Sequence, residues 1–137
     1  MSARTTACAL AATAALAGCG GVKAADLFIV YRTGSTPHAR LALLINEEGG
    51  VHCNGGAVRK LSDPQLVQAR AIQEDIHDSA AGHLSLAPQA GSILSYYLRD
   101  ENGTVRFSDN SAGQPQVLRN LQLFVLQVAQ QVCHLAQ

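Results

Sequence analysis

Tryptophan is absent from the 137 residues, and aromatic residues of all kinds make up only 4% of the chain. Any core must therefore rest on Ala, Val, Leu and Ile, and the 47% hydrophobic content suits one while excluding a disordered tail. An excess of charge is missing too. Ten basic residues face ten acidic ones, which removes the electrostatic footprint of a nucleic-acid binder. The length predicts one small domain and excludes a multidomain enzyme. No internal repeat stands out. The Gly-x-Ser-x-Gly elbow of a serine hydrolase is absent, and Gly49-Gly50 and Gly55-Gly56 do not have the spacing of a phosphate loop or dinucleotide fingerprint.

What is present begins with an address. Arg4 is followed by an apolar run over residues 7–17, interrupted only by Thr13, and then by Leu16-Ala17-Gly18-Cys19. The run falls far short of the roughly 20 residues that span a bilayer as a helix, so residues 1–18 read as a secretory leader. Leu-Ala-Gly-Cys resembles the bacterial lipobox, which implies a diacylglycerol on the Cys19 thiol, cleavage before it, and attachment to the membrane through that lipid. The alternative is a plain leader cut at an Ala-x-Ala site. Loss of Arg4 leaves nine basic against ten acidic residues, a net charge that does not support electrostatic membrane binding. Residues 19–26 form a tether; from Gly20 to Asp26, at about 3.5 Å per residue, it reaches roughly 25 Å.

Of the four cysteines, Cys8 leaves with the leader and Cys19 is assigned to lipid, so Cys53 and Cys133 remain. Two thiols in an oxidising compartment predict one disulfide. The competing reading is a metal or reactive thiol, because His52 adjoins Cys53 and His134 adjoins Cys133. Against it, neighbours along a strand point to opposite faces, and neither pair has the spacing of a zinc site.

Leu27–Arg32, Arg40–Asn46 and Val51–Cys53 predict an antiparallel meander broken at Gly34-Ser35-Thr36-Pro37 and at Glu47–Gly50. A helix starts at Asp63-Pro64, with Asp63 as its cap and a stripe of Leu66, Ala69, Ile72 or Gln73, Ile76 and Ala80, and Gly82 ends it. Ile93–Arg99 and Thr104–Ser108 form a hairpin around Asn102-Gly103. Val117–His134 is a second amphipathic helix with Val117, Leu118, Leu121, Phe124, Val125, Val128, Ala129 and Val132 on one face. The expectation for residues 27–135 is a single α+β domain: an antiparallel sheet of about five strands in the order βββ-α-ββ-α, with both helices packed on one face.

Glu74, His77 and Asp78 share one helical turn and could face a cation, or simply be a solvated face; they lack the second His of a zinc-protease helix. No metal or other cofactor is implied. Tyr96 and Tyr97 point to opposite faces of their strand, one into the core and the other to the open face or a partner. An exposed sheet carrying one of these tyrosines, Arg99 and Arg106 could bind protein or glycan.

Leu16–Cys19, Gly50-Val51-His52-Cys53-Asn54-Gly55-Gly56, Leu61-Ser62-Asp63-Pro64 and Val105-Arg106-Phe107-Ser108-Asp109 together resemble a group of small actinobacterial lipoproteins. That resemblance covers Leu27–Cys133 and implies a location, not an activity. More distantly, Val30–Arg32 with Gly34, then Tyr96 or Tyr97, then Val105–Asp109, are similar in order to the emfourin family of small inhibitors of thermolysin-type metalloproteases. Ser35 stands where that family favours a second glycine, and the cysteine pair is extra. The resemblance implies a loop, Thr33–Ala39, that approaches a protease site. The expected function is thus a non-enzymatic, lipid-anchored envelope protein. It would meet the membrane through Cys19 and an extracytoplasmic protein through Arg32, Gly34, Ser35, Thr36, Tyr96 and Tyr97. An emfourin-like inhibitor is the alternative.

Overall fold

The structure is a computed structural model that describes residues 25–135. The leader, Cys19 and the tether up to residue 24 lie outside the described residues. Eight elements follow: β1 (Asp26–Gly34), β2 (Leu41–Asn46), β3 (Gly50–Cys53), β4 (Val58–Lys60), α1 (Asp63–Ala81), β5 (Leu94–Arg99), β6 (Thr104–Ser108) and α2 (Gln116–Gln131). The strands form one sheet in the order β4-β3-β2-β1-β5-β6, antiparallel throughout. The α+β class and the antiparallel sheet with two helices agree with the sequence reading. So does the pairing of β1 with the later hairpin, through β5.

Period-two alternation sets the two faces. Phe28 and Val30 of β1, Leu41, Leu43 and Ile45 of β2, Leu98 of β5 and Val105 of β6 are buried under the helices. From α1 the stripe Ala69, Ile72, Ile76 and Ala80 meets them, and from α2 the broad face from Val117 to Ala129. Alanine at both ends of the α1 stripe lets that helix lie close to its neighbours. Phe28 meets Phe124 edge-on at 6.3 Å between ring centres, joining the central strand to α2. Complete burial of such a side chain is worth about 2–3 kcal/mol, so packing rather than propensity fixes both helices.

Three boundaries differ from expectation. The sheet has a sixth strand, β4, where Arg59 pairs with Val51 and Val58 with His52. The cap of α1 is Ser62, not Asp63: its hydroxyl accepts from Gln65 N while the Gln65 side chain accepts from Ser62 N, a reciprocal capping box. Pro64 is displaced into the first turn accordingly. Helix α2 stops at Gln131 because the chain must turn to bring Cys133 to the sheet, and His134 takes a left-handed backbone, φ 54°. The Arg59 guanidinium donates to Val132 O at 3.1 Å, a cation placed at the helix C-terminus.

Cys53 and Cys133 are joined in a disulfide across a sequence separation of 80, with Cα atoms 5.8 Å apart. The bridge fastens the end of β3 to the chain just past α2. At the other side of the sheet, residues 84–86 run along the outer edge of β6: Leu86 N donates to Arg106 O and Arg106 N to Leu84 O. That edge is covered, whereas β4 leaves the opposite edge exposed.

Candidate functional site: the tip loop and the open sheet face

The loop after β1 is set by contacts that leave it little freedom. Gly34 lies so close to the next strand's entry that a Cβ there would sit 2.2 Å from Ile93 O, and Ser35 N donates to that same carbonyl. Thr36-Pro37-His38-Ala39 closes as a turn, with Ala39 N donating to Thr36 O and proline at the second position. Beneath it runs Arg32. Its Nε donates to Ala39 O at 2.9 Å and its Nη2 to His38 O at 3.1 Å. Arg32 is only 4% exposed. The sequence placed it on a partner surface; in the structure it is buried and holds the loop from below, while Ser35 and Thr36 are the exposed residues above.

Tyr96, the cross-strand neighbour of Arg32, is likewise buried and stacks on Phe107 at 5.0 Å between ring centres. Burial pushes its hydroxyl up from the usual tyrosine value; the Arg32 charge opposes the shift and Asp109 adds to it. Tyr96 is thus the core member of the tyrosine pair. Asp109, just past β6, accepts from Ser92 Oγ at 2.9 Å and from Ile93 N at 3.1 Å, pinning the entry of β5 to the exit of β6. Desolvation raises its carboxyl, but hydrogen bonds from Ser92 and from the Ile93, Leu94 and Asn110 backbone outweigh that and hold it below the ordinary carboxylate value.

Between this loop and α2 lies a groove of about 350 Å³ whose walls include Ile93, Leu94, Leu123 and Leu126, with Arg32 and Tyr96 also lining it. Ile93, Leu123 and Leu126 are 49%, 58% and 37% exposed, half of the large exposed hydrophobics among the described residues. Leu123 and Leu126 lie outside the apolar face assigned to α2 from sequence. Their spacing of three along a helix was the signal that could have found them.

The other sheet face carries no helix. Across it, side by side, run Val58, His52, Leu44, Ile29, Arg99 and Thr104, one from each strand, and in the next row Ala42, Tyr31, Tyr97 and Arg106. Tyr31 and Tyr97 stack at 6.0 Å, and the Arg106 guanidinium lies 4.4 Å over the Tyr97 ring. Tyr97 is the open-face member of the pair; position alone predicted opposite faces, and the structure assigns them. Residues 85–88 wall one side of this ladder.

The bridge between Cys53 and Cys133 takes up the two thiols of the metal reading. His52 turns its Nδ1 toward Gly56 O at 2.8 Å. Glu74, His77 and Asp78 are exposed on α1, and among the described residues no group of three His, Cys, Asp or Glu is placed to hold a metal ion. No described helix is long and apolar enough to cross a membrane. No family model matches this chain, and no curated protein or solved structure matches it significantly.

Proposed function

We propose that this chain is a lipid-anchored extracytoplasmic envelope protein, non-enzymatic, that binds another macromolecule at the tip formed by the loop after β1 and the neighbouring groove. The observation that carries the binding reading is the concentration of Ile93, Leu123 and Leu126 around one groove beside a loop already fixed in shape. Apolar side chains exposed together beside a rigid backbone bind at low ordering cost. The disulfide supports the location, since such a bridge persists where thiols are oxidised, and the lipobox-like Leu16–Cys19 supports the anchor.

The test uses the processed chain carrying Cys19→Ser, immobilised and exposed to envelope extract beside an Ile93→Asp/Leu123→Asp variant. Both substituted residues are exposed, so the variant should melt like the parent. A protein or glycan held by the parent and lost by the variant is the expected result. Equal retention by both would remove the groove from the interface. For the anchor, Cys19→Ala should shift the protein from the membrane fraction to the medium or leave uncleaved precursor, and lipid still attached to that variant would refute it.

The second reading, an emfourin-like inhibitor of secreted metalloproteases, is favoured by the Arg32 brace, because an inhibitory loop needs a backbone that does not rearrange on docking. Inhibition assays against thermolysin-like proteases separate the two. Inhibition that disappears when Thr36-Pro37-His38 is replaced by glycines would select the inhibitor.

A further inference from the structure

The open sheet face carries a charge pattern that the balanced total conceals. Of the ten carboxylates, nine lie on α1, in turns or just past a strand end; only Asp26, the first residue of β1, belongs to a strand. Asp26, opposite Asn46, stands at one end of the open face; the rest of that face has the opposite character. Arg99 and Arg106 project from it, Lys60 shares it through its pairing with Gly50, and Arg40 continues it beyond the start of β2, all four exposed. Within this ring of cations lie Ile29, Leu44 and the Tyr31–Tyr97 stack, partly exposed to solvent.

We propose that this face rests on the anionic phospholipid surface of the membrane that holds the chain, with Arg40, Lys60, Arg99 and Arg106 meeting lipid phosphates and the Ile29, Leu44 and tyrosine centre meeting the headgroup boundary. The proposal deepens the lipid-anchor reading and rests on it for the reason the face meets a membrane at all. Three observations choose this occupant. Charge complementarity calls for an anionic surface, and guanidinium groups match phosphate oxygens in pairs. Aliphatic and tyrosine side chains between the cations suit an interface that is apolar on one side and wet on the other. The six residues between Cys19 and β1 span at most roughly 25 Å, and β1 itself supplies Ile29 and Tyr31, so the face lies within the anchor's reach. A second copy is disfavoured, since packing the face on itself would set cations against cations. The tip stays accessible when the face is down, because the loop after β1 lies at the far end of that strand from the tether.

The test is co-sedimentation of the unlipidated processed chain, Cys19→Ser, with vesicles of phosphatidylcholine alone and of equal parts phosphatidylcholine and phosphatidylglycerol. Partitioning onto the anionic vesicles should be at least about tenfold stronger and should weaken as salt is added. Arg99→Gln/Lys60→Gln, both at exposed positions, should abolish most of that preference with an unchanged melting curve, and Arg40→Gln provides a second variant. Ile93→Asp at the tip should leave it intact. Equal partitioning onto both vesicles, no partitioning, or a preference indifferent to these substitutions would overturn the proposal. Binding to poly-glutamate without binding to vesicles would overturn it too, in favour of an acidic protein. Membrane fractionation of Cys19→Ala reports on the anchor separately, so loss of one reading is distinguishable from loss of the other.

Discussion

Arg32 shows how one buried side chain can fix a loop from beneath. Two of its donors end on consecutive carbonyls of the Thr36–Ala39 turn, and a hydrogen bond from a charged group is worth about 1.5–3 kcal/mol. Arg32→Met retains most of the apolar stem and loses the donors. It is expected to destabilise the fold by about 2–4 kcal/mol and to speed amide exchange selectively at residues 35–39, read by denaturant titration and hydrogen exchange. Asp109 makes a pH-dependent prediction. Its folded carboxyl titrates below its unfolded value, so its stabilisation is fully present above about pH 4 and is lost as pH falls through the lower folded value. Asp109→Asn should therefore lower stability at neutral pH and flatten the acid limb of the stability curve, measured by urea unfolding across that range. A variant that tracks the parent in parallel at every pH would contradict it.

At the scale of elements, the α1 cap separates two residues that look equally able to serve. Ser62→Ala removes an observed cap bond and should cost about 1 kcal/mol, whereas Asp63→Ala removes only a first-turn charge and should cost about half a kcal/mol or less, judged from unfolding midpoints. The sequence reading chooses Asp63 because Asp-Pro is a good helix start, although Ser62 with Gln65 three residues on carries the capping-box pattern that the structure uses. Strand β4 was illegible. Val58-Arg59-Lys60 is three residues long and mostly charged; it is a strand because β3 presents a free ladder and because Arg59 has the α2 carboxyl end to reach. By contrast β2 and β5 alternate cleanly and β1 and β6 do so apart from the adjacent buried pairs Leu27–Phe28 and Phe107–Ser108, and that Tyr96 and Tyr97 face opposite ways was readable from position alone. Arg32 was not. Arginine is seldom buried, and no local pattern announces that a loop seven residues on will return its carbonyls to it.

For the molecule as a whole, the disulfide is the long-range constraint. Closing a loop of 80 residues contributes about 3–5 kcal/mol on the chain-entropy view, so reduction, or Cys53→Ser/Cys133→Ser, should lower the melting temperature by well over about 10 °C without abolishing the sheet. Circular dichroism with and without reductant measures it; an unchanged melting curve would mean that the bridge constrains little. The distribution of charge also belongs to this scale. Composition reported only the balance of ten against ten, and it took the register of six strands to place four of the cations, Arg40, Lys60, Arg99 and Arg106, on one face.

The position of β1 has a mechanical consequence. It is an interior strand of the sheet, bonded to β2 along one edge and to β5 along the other. A pull arriving from the N-terminal side runs along the strand axis, while the ladder bonds lie across it. They are loaded together in shear, and none can yield first as the bonds of a peeled edge strand would. The far grip is equally secure against pulling, because Cys133 hands its load covalently to β3 in the same sheet. Tension between these two points is carried across β1, β2 and β3 as a unit, so a chain held by its N-terminal side can be tugged by whatever it holds without unravelling from its point of attachment.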